Sequence, residues 1–327
     1  MRYRPLGTTG MTFSVIGLGT WAIGGSGWSY GWGDQDDADS IATIQQALDL
    51  GINWIDTAPV YGLGHAETLV GRALRGRRDR VFIATKCGLV WNRRGRIRAR
   101  LTRTSVMEEC HASLQRLQVD VIDLYQIHWP EPEDQIEEAW ETMVQLKESG
   151  KVRHIGVCNF NRIQLERIAR MHPVESLQPP YSLLDRRFET DLLPFCRAHR
   201  IGVIVYSPLA SGLLSGTMTA ERAARLPRND WRRRDPRFRP PLLPKILDFV
   251  RDLARIAQAH EWTVAELAIA WTLRLPEVTG AIVGARRPAQ IVTSARAADR
   301  TWTDDIDRAI RAVLRSHATT LARVPPL

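Results

Sequence analysis

The sequence predicts an α/β protein built as a closed (β/α)8 TIM barrel, with an N-terminal hairpin and extra helices and loops outside the barrel, and three observations carry that prediction. Short apolar runs of strand length alternate with amphipathic stretches of helical spacing along most of the chain. The runs number eight. Eight strand and helix units within 327 residues suit one closed barrel better than an open sheet, so residues 1–327 are read as a single domain.

The elements follow in order. Residues 1–13 place Gly7 and Gly10 between short apolar ends, which predicts a small hairpin. VIGLG at 15–19 is the first buried strand. Beyond it, Gly17, Gly19 and Ala22 satisfy GxGxxA, with Asp36 or Asp37 about where a dinucleotide-binding acid would stand. That fingerprint needs a helix to start on the glycines and meet a pyrophosphate with its N-terminus. AIGGSGWSYGWGDQDD is too rich in glycine to continue one, and a Rossmann reading is rejected.

DADSIATIQQALDLG then has helical spacing and ends at Gly51. Residues 53–55 form the second strand, Asp56 ends it, and residues 57–64 form a loop ahead of a helix opening near His65. The pattern repeats with helices at 65–75, 103–118, 134–149, 161–171, 189–200 and 263–274. Strands fall at 81–86, 121–128, 152–160, 174–178, 201–209 and 280–285. Two stretches stand outside the repeat: a basic loop at 211–243, with six arginines from Arg228 to Arg239, and a helix with a proline-bearing tail at 303–327.

Composition narrows the partners. The 45 Lys+Arg against 36 Asp+Glu give a net charge of +9, which admits nucleic acid, an acidic membrane surface or a phosphate-bearing cofactor. Nucleic acid is set aside, because the arginine loops form neither an organised basic helix nor an aromatic platform. Four cysteines without a CxxC pair imply reduced thiols, and eight histidines without ligand spacing imply no metal. The N-terminus has no apolar signal core and no apolar run approaches the roughly 20 residues of a membrane span. A cytoplasmic protein with no membrane partner is expected.

The candidate chemistry lies at strand ends. Lys86 ends the third strand and His128 the fourth, so with Asp56 and Tyr61 after the second they converge on one end of three neighbouring strands. Asp56 supplies a counterion for a lysine that would otherwise be buried alone. A lysine about 4 Å from Tyr61, at an effective dielectric near 20, favours phenolate by on the order of 4 kcal/mol, or about 3 pKa units before desolvation is subtracted. Such a tyrosine is a usable proton donor, and His128 can orient a carbonyl oxygen through a ring N–H. Trp21, Trp28, Trp91 and Trp129 are candidates to wall an apolar substrate pocket. Arginines of residues 93–103 would draw an acidic group to its rim.

IGLGTWAIGG, NWIDTAPVYGLGHAE, ATKCG, DLYQIHWP, KVRHIGVCNF, VIVYSPLASGLLSG and IVGARRPAQI, in this order, resemble the aldo-keto reductase family over nearly the full chain. The resemblance implies a (β/α)8 barrel and carbonyl reduction with NADP(H), acting on a small-molecule aldehyde or ketone. It makes Tyr61 the general acid, Lys86 the group that lowers its pKa, Asp56 the partner of Lys86 and His128 the residue that orients substrate. Gly19, Thr20, Trp21 and Asp56 would lie beside the nicotinamide and its ribose, with Asn159 and Gln178 on the carboxamide and Tyr206 stacked on the ring. Ser207, Pro208, Leu209, Ser211 and Gly212 would line the pyrophosphate. Gly284, Ala285, Arg286 and Gln290 would reach the adenosine end, where Arg286 would contact the 2′-phosphate and Arg287 would stay in solvent.

Three departures from the family pattern stand out. Cys158 replaces a serine before Asn159, Thr217 replaces a lysine, and Thr293-Ser294 replaces a glutamate-asparagine pair that usually meets adenine. A cofactor-binding regulatory subunit with little turnover is the alternative reading. The complete set of Asp56, Tyr61, Lys86 and His128 weighs against it.

Overall fold

Leu6, Met11 and Phe13 are apolar residues in an otherwise polar N-terminal stretch, and they find their burial against the floor of a barrel. The structure is a computed structural model that describes residues 1–326. Strands β1 (Tyr3–Pro5) and β2 (Thr12–Ser14) pair antiparallel as the expected hairpin. Gly7, at the start of its turn, has φ +51, and a Cβ there would sit 2.6 Å from the backbone N of Gly202, so only glycine fits. Phe13 stacks on Trp54 at 4.8 Å and meets Phe82 at 5.4 Å. This plug closes one end of the barrel.

The barrel then builds by alternation. β3 (Ile16–Gly19) leads through a glycine-rich loop to α1 (Asp37–Asp49), β4 (Trp54–Asp56), α2 (His65–Ala73) and β5 (Phe82–Cys87). A short hairpin of β6 (Leu89–Trp91) and β7 (Ile97–Ala99) precedes α3 (Arg103–Leu117), β8 (Ile122–Ile127), α4 (Ile136–Glu148) and β9 (Val152–Cys158). α5 (Arg162–Ala169), β10 (Ser176–Gln178), α6 (Leu192–Ala198) and β11 (Gly202–Tyr206) follow. After α7 (Ala220–Ala224), α8 (Leu242–Ala259) and α9 (Val264–Thr272), strand β12 (Val278–Gly284) closes the ring against β3, with Gly284 opposite Gly19. α10 (Pro288–Ala295), α11 (Asp304–Ser316) and α12 (Ala318–Leu321) finish the described chain.

Eight parallel strands in the order β3-β4-β5-β8-β9-β10-β11-β12 form the closed barrel that the alternation predicted. Two strands stop two or three residues earlier than expected, for a shared reason. Asn159 (φ 63) and Ser207 (φ 57) are left-handed, so β9 ends at Cys158 and β11 at Tyr206. The glycine-rich loop after β3 holds a short 3-10 turn at Trp21–Gly24 and no dinucleotide-binding helix, in keeping with the rejected Rossmann reading.

The hairpin β6–β7 and helix α8 were not foreseen. α8 buries Leu243, Ile246, Phe249, Val250 and Leu253 at helical spacing and packs against α11 and α9. The basic stretch before it is less a solvated charge run than a set of internal ties. Arg237 is buried on Asp235, Arg232 pairs with Asp230 at 2.6 Å, and Arg233 donates to the Leu226 carbonyl at 3.2 Å. Among the described residues, no helix is long and apolar enough to cross a membrane. Leu327, the end of the expected tail, lies outside the described residues.

Candidate active site

Side chains two apart on a strand share a face, so each barrel strand delivers a column of inward residues that climbs from plug to mouth. On β5 the column passes Ala84 and reaches Lys86, which is fully buried. On β4 it passes Trp54 and reaches Asp56. Lys86 Nζ donates to Asp56 Oδ1 at 2.7 Å and to the Thr57 carbonyl at 2.9 Å, and lies 3.5 Å from Tyr61 Oη. His128 follows β8, where its N–H donates to the Cys87 carbonyl at 2.9 Å and its ring meets Tyr61 edge-on at 5.8 Å. The four residues therefore converge as the sequence suggested.

Tyr61 rides on a loop rather than a strand, and backbone contact fixes it. Gly62 (φ +63) lies so close to Gly24 that a Cβ would come within 2.2 Å of the Gly24 carbonyl oxygen. The loop after β4 is thereby clamped to the loop after β3, and no side chain fits between them.

The electrostatics correct one expectation. Burial pushes the Tyr61 hydroxyl up to about 12, outweighing the pull of Lys86 in the opposite direction. Lys86 brings its neighbour's pKa down from where burial alone would put it, without bringing it below the ordinary value. Burial, and then the charge of Lys86, hold His128 well below the ordinary imidazole range, so its ring is neutral at neutral pH. Lys86 itself stays charged. Desolvation opposes its charge, but Asp56 and Tyr61 more than restore it.

A second tier of amides surrounds the four. Gln178 Nε2 donates to Asp56 Oδ2 at 2.8 Å and approaches Gln126 Oε1 at 3.4 Å. Tyr206 Oη donates to Asn159 Oδ1 at 2.9 Å, and Asn159 Nδ2 donates to the His128 carbonyl at 2.9 Å. Cys158 is buried beside them, and burial pushes its thiol up. Gln126 was missed. It lies fully buried between Leu124 and His128 on the inward face, an alternation visible in DLYQIH, and its Nε2 has no partner.

The residues along the rim fit a phosphate-bearing cofactor. Ser207, Ala210, Ser211 and Gly212 all have positive φ, from 45 to 97, a backbone that can turn N–H groups toward an anion. The buried Ser211 Oγ has no partner within the protein. Pro208 and Leu209 complete that turn. Arg232 Nη1 reaches the Ser211 carbonyl at 3.3 Å, which sets a guanidinium beside the loop, whereas Thr217 turns away to receive Arg222 Nη1 at 2.9 Å. Thr20 N–H donates to the Asp56 carbonyl at 2.9 Å, holding Gly19 and Trp21 at the mouth.

At the far end, Gln290 Oε1 accepts the backbone N–H groups of Arg286 and Arg287, at 2.8 and 3.2 Å, with Ala285 buried behind them. A Cβ on Gly284 would meet nothing within 4 Å. The Arg286 guanidinium donates to Gln35 Oε1 at 2.6 Å, to the Trp32 carbonyl at 3.0 Å and to the Asp34 carbonyl. The Arg287 side chain is 77% exposed. Thr293 Oγ1 bonds back to the Ala289 carbonyl within α10.

Of the four tryptophans expected to wall a pocket, two are brought against Tyr61. Trp21 and Trp28 do reach Tyr61, with centroids at 6.4 and 6.2 Å. Trp91 lies on β6 and Trp129 is 36% exposed, and among the described residues neither makes a ring contact with Tyr61. Trp32 and Trp231 join Trp21: Trp231 stacks on it at 5.2 Å, Trp32 meets it edge-on at 5.6 Å, and Arg232 lies 4.3 Å over Trp32. A backbone bridge from Trp32 to Asp230 brings these distant loops together.

The model of the Aldo/keto reductase family matches residues 15–315. The chain is 42% identical over 294 residues to the aldo-keto reductase YhdN of Bacillus subtilis, covering 89% of this chain and 87% of that protein. It is 38% identical over 307 residues to the NADH-specific methylglyoxal reductase of Escherichia coli, covering 89% and 91%. Among solved structures, the glycerol dehydrogenase of Gluconobacter oxydans is similar at a TM-score of 0.86 and 35% identity, covering 99% of this chain and 97% of that one.

Proposed function

The chain belongs to the aldo/keto reductase family, oxidoreductases that act on carbonyl groups with a nicotinamide cofactor, and on that premise we propose that it reduces aldehydes or ketones with NADPH, Tyr61 donating the proton. One observation carries the proposal: Lys86 Nζ bridges Asp56 Oδ1 at 2.7 Å and Tyr61 Oη at 3.5 Å at the mouth of the barrel. When bound, the nicotinamide supplies hydride to the carbonyl carbon. Tyr61, with its hydroxyl pushed up to about 12, keeps its proton across the neutral range and so holds the acid form ready. As negative charge grows on the carbonyl oxygen, the proton passes from Tyr61 Oη to that oxygen and the product is an alcohol. Lys86 stabilises the phenolate left behind, and Asp56 keeps the ammonium oriented. His128, neutral, donates a ring N–H to the same oxygen without competing as an acid.

Asn159, Gln178 and Tyr206 would hold the nicotinamide end, with Gly19, Thr20 and Trp21 beside it and Cys158 offering only a weak thiol donor. Ser207, Leu209, Ser211 and Gly212 would hold the pyrophosphate, with the guanidinium of Arg232, paired with Asp230, beside that turn where Thr217 offers no cation. Gly284, Arg286 and Gln290 would meet the adenosine end.

The choice of NADPH rests on Arg286. The hydrogen-bond partners of its guanidinium are an amide and two carbonyls, so among the described residues no carboxylate is paired with it. The same bonds favour a second reading, in which Arg286 is a strut for residues 32–35 and the cofactor is NADH, as the name of the Escherichia coli relative states for that protein. Fluorescence titration separates them. Arg286→Ala is expected to weaken NADPH by on the order of 10-fold to 10²-fold, the loss of one charge-assisted bond, and to leave NADH nearly unchanged. Equal losses would identify a strut, and a wild type preferring NADH would overturn the NADPH assignment. Consumption of NADPH with an aromatic aldehyde tests turnover itself, and its absence would favour a regulatory subunit.

A further inference from the structure

Residues 87–103 contain six arginines and no Asp or Glu. Five of them, Arg93, Arg94, Arg96, Arg98 and Arg100, line the tip and second arm of the β6–β7 hairpin, and all are exposed. Among the described residues, none of the five forms an ion pair, and their hydrogen bonds run through the backbone alone, as where Arg94 and Arg96 N–H donate to Asn92 Oδ1 and the Arg96 carbonyl accepts from Asn92 N–H. Other arginines near the mouth are engaged, Arg232 on Asp230 and Arg237 on Asp235. An uncancelled positive field is therefore concentrated on this hairpin.

Its place in the fold gives that field a purpose. The hairpin leaves β5 immediately after Lys86 and Cys87 through Gly88, which is left-handed at φ +96. Glu109 Oε2 accepts the Gly88 N–H at 3.0 Å, and Arg100 N–H donates to the Gly88 carbonyl at 3.0 Å, so the base is fixed. At the tip, a Cβ on Gly95 would meet Leu63 Cδ1 at 3.3 Å. The tip thus leans on the loop that carries Tyr61, two residues away. The arginine-bearing tip therefore borders the loop whose Tyr61 is flanked by Trp21 and Trp28.

We infer that the hairpin selects carboxylate-bearing carbonyl compounds, the aldehyde or ketone end seated at Tyr61 and the carboxylate drawn to the arginine rim. The inference rests on the reductase reading above and adds the substrate class. Guanidinium suits carboxylate through its paired donors, and mobile exposed arginines act chiefly by field. The contribution should fall mainly on KM, because attraction far from the reacting atoms stabilises substrate and transition state alike.

The test uses the full chain with Arg93→Gln, Arg94→Gln, Arg96→Gln and Arg98→Gln combined. Turnover of 4-carboxybenzaldehyde and of benzaldehyde is measured at two ionic strengths, with NADPH affinity measured separately. The ratio of kcat/KM for the acid over the neutral aldehyde should fall about 3-fold to 10-fold in the variant at about 0.01 M salt, where screening reaches about 30 Å, and the gap should narrow at about 0.15 M, where it is about 8 Å. Benzaldehyde turnover is expected to persist and shows that the variant is folded. An unchanged ratio overturns the inference, as does a variant whose only defect is weaker NADPH binding, which would assign the arginines to the cofactor. If neither aldehyde turns over, the reductase reading falls, and quenching of tryptophan fluorescence by benzoate still decides: charge-dependent loss in the variant supports the rim, and equal quenching removes it.

Discussion

The two ends of this barrel are made from the same strands and do opposite things. On β4, Trp54 packs into the plug and Asp56, two residues on, holds Lys86. On β5 the step runs from Ala84 to Lys86, on β8 from Leu124 to Gln126, and on β11 from Ile204 to Tyr206. The lower residues form one apolar cluster with Leu6, Met11 and Phe13. The upper ones bury charge and amide, with Gln126 Nε2 left without a partner, and they meet loops that run left-handed at Asn159 and Ser207, the second of which leads to the unpartnered Ser211 Oγ. Buried apolar area stabilises the fold, whereas buried polar groups lacking a partner cost it. A single step along the strand, about 7 Å for two residues, separates the half that holds the protein together from the half that is expected to do its chemistry.

The largest effect should come from the upper end alone. Tyr61→Phe is expected to lower the reduction rate by about 10² to 10⁴ while cofactor affinity and the urea midpoint stay close to wild type. Stopped-flow cofactor binding beside steady-state turnover checks it. A variant keeping more than half the activity would remove Tyr61 from the acid role, and one that unfolds readily would blur the division between the ends.

The lower end should answer in the opposite currency. Phe13→Ala removes a ring stacked between Trp54 and Phe82 and should cost about 3–5 kcal/mol of stability through the cavity left behind. Turnover per folded molecule should not move. Urea unfolding and active-site-normalised kinetics measure both, and a matching fall in kcat would mean that the plug also positions the mouth.

Legibility followed the same division. The strands were readable because each is an apolar run between turn signals, and Asp56, Lys86 and His128 were readable because each is a polar residue closing such a run. Trp32, Trp231 and Arg232 were not, since nothing local in a glycine-rich loop or an arginine run says that a bridge from Trp32 to Asp230 will join them. Helix α8 was passed over because it opens behind consecutive prolines at the end of that basic stretch. The direction of the Tyr61 shift was missed for a different reason. Lys86 could be placed beside it from sequence, but the burial that outweighs Lys86 is a property of the assembled mouth.

Glu109 sharpens the comparison, because it is a buried carboxyl near the upper end without the lysine that Asp56 enjoys. It lies on α3, 8% exposed, accepting Gly88 N–H at 3.0 Å and Ser105 Oγ at 3.1 Å. Burial pushes it from 4.5 up to about 7, with Glu67 adding to the rise and Gly88, Ser105 and Arg116 opposing it. Below about pH 4.5 both folded and unfolded chains carry the proton, and the folded state keeps its full stability. Between about 4.5 and about 7 the unfolded chain loses the proton first, so stability falls as pH rises, and above about 7 the deficit is constant. A shift of that size corresponds to on the order of 3 kcal/mol. Glu109→Gln removes the titration and keeps an acceptor for Gly88 and a donor for Ser105. Its stability should therefore match wild type near about pH 4, where both folded and unfolded wild-type chains hold the proton, and exceed it by up to that amount near about pH 8, levelling off once the wild-type carboxyl has ionised. Urea unfolding of both proteins across that range is the measurement. An advantage that is absent at the alkaline end, or equally large at both, would show that Glu109 is as well compensated as Asp56.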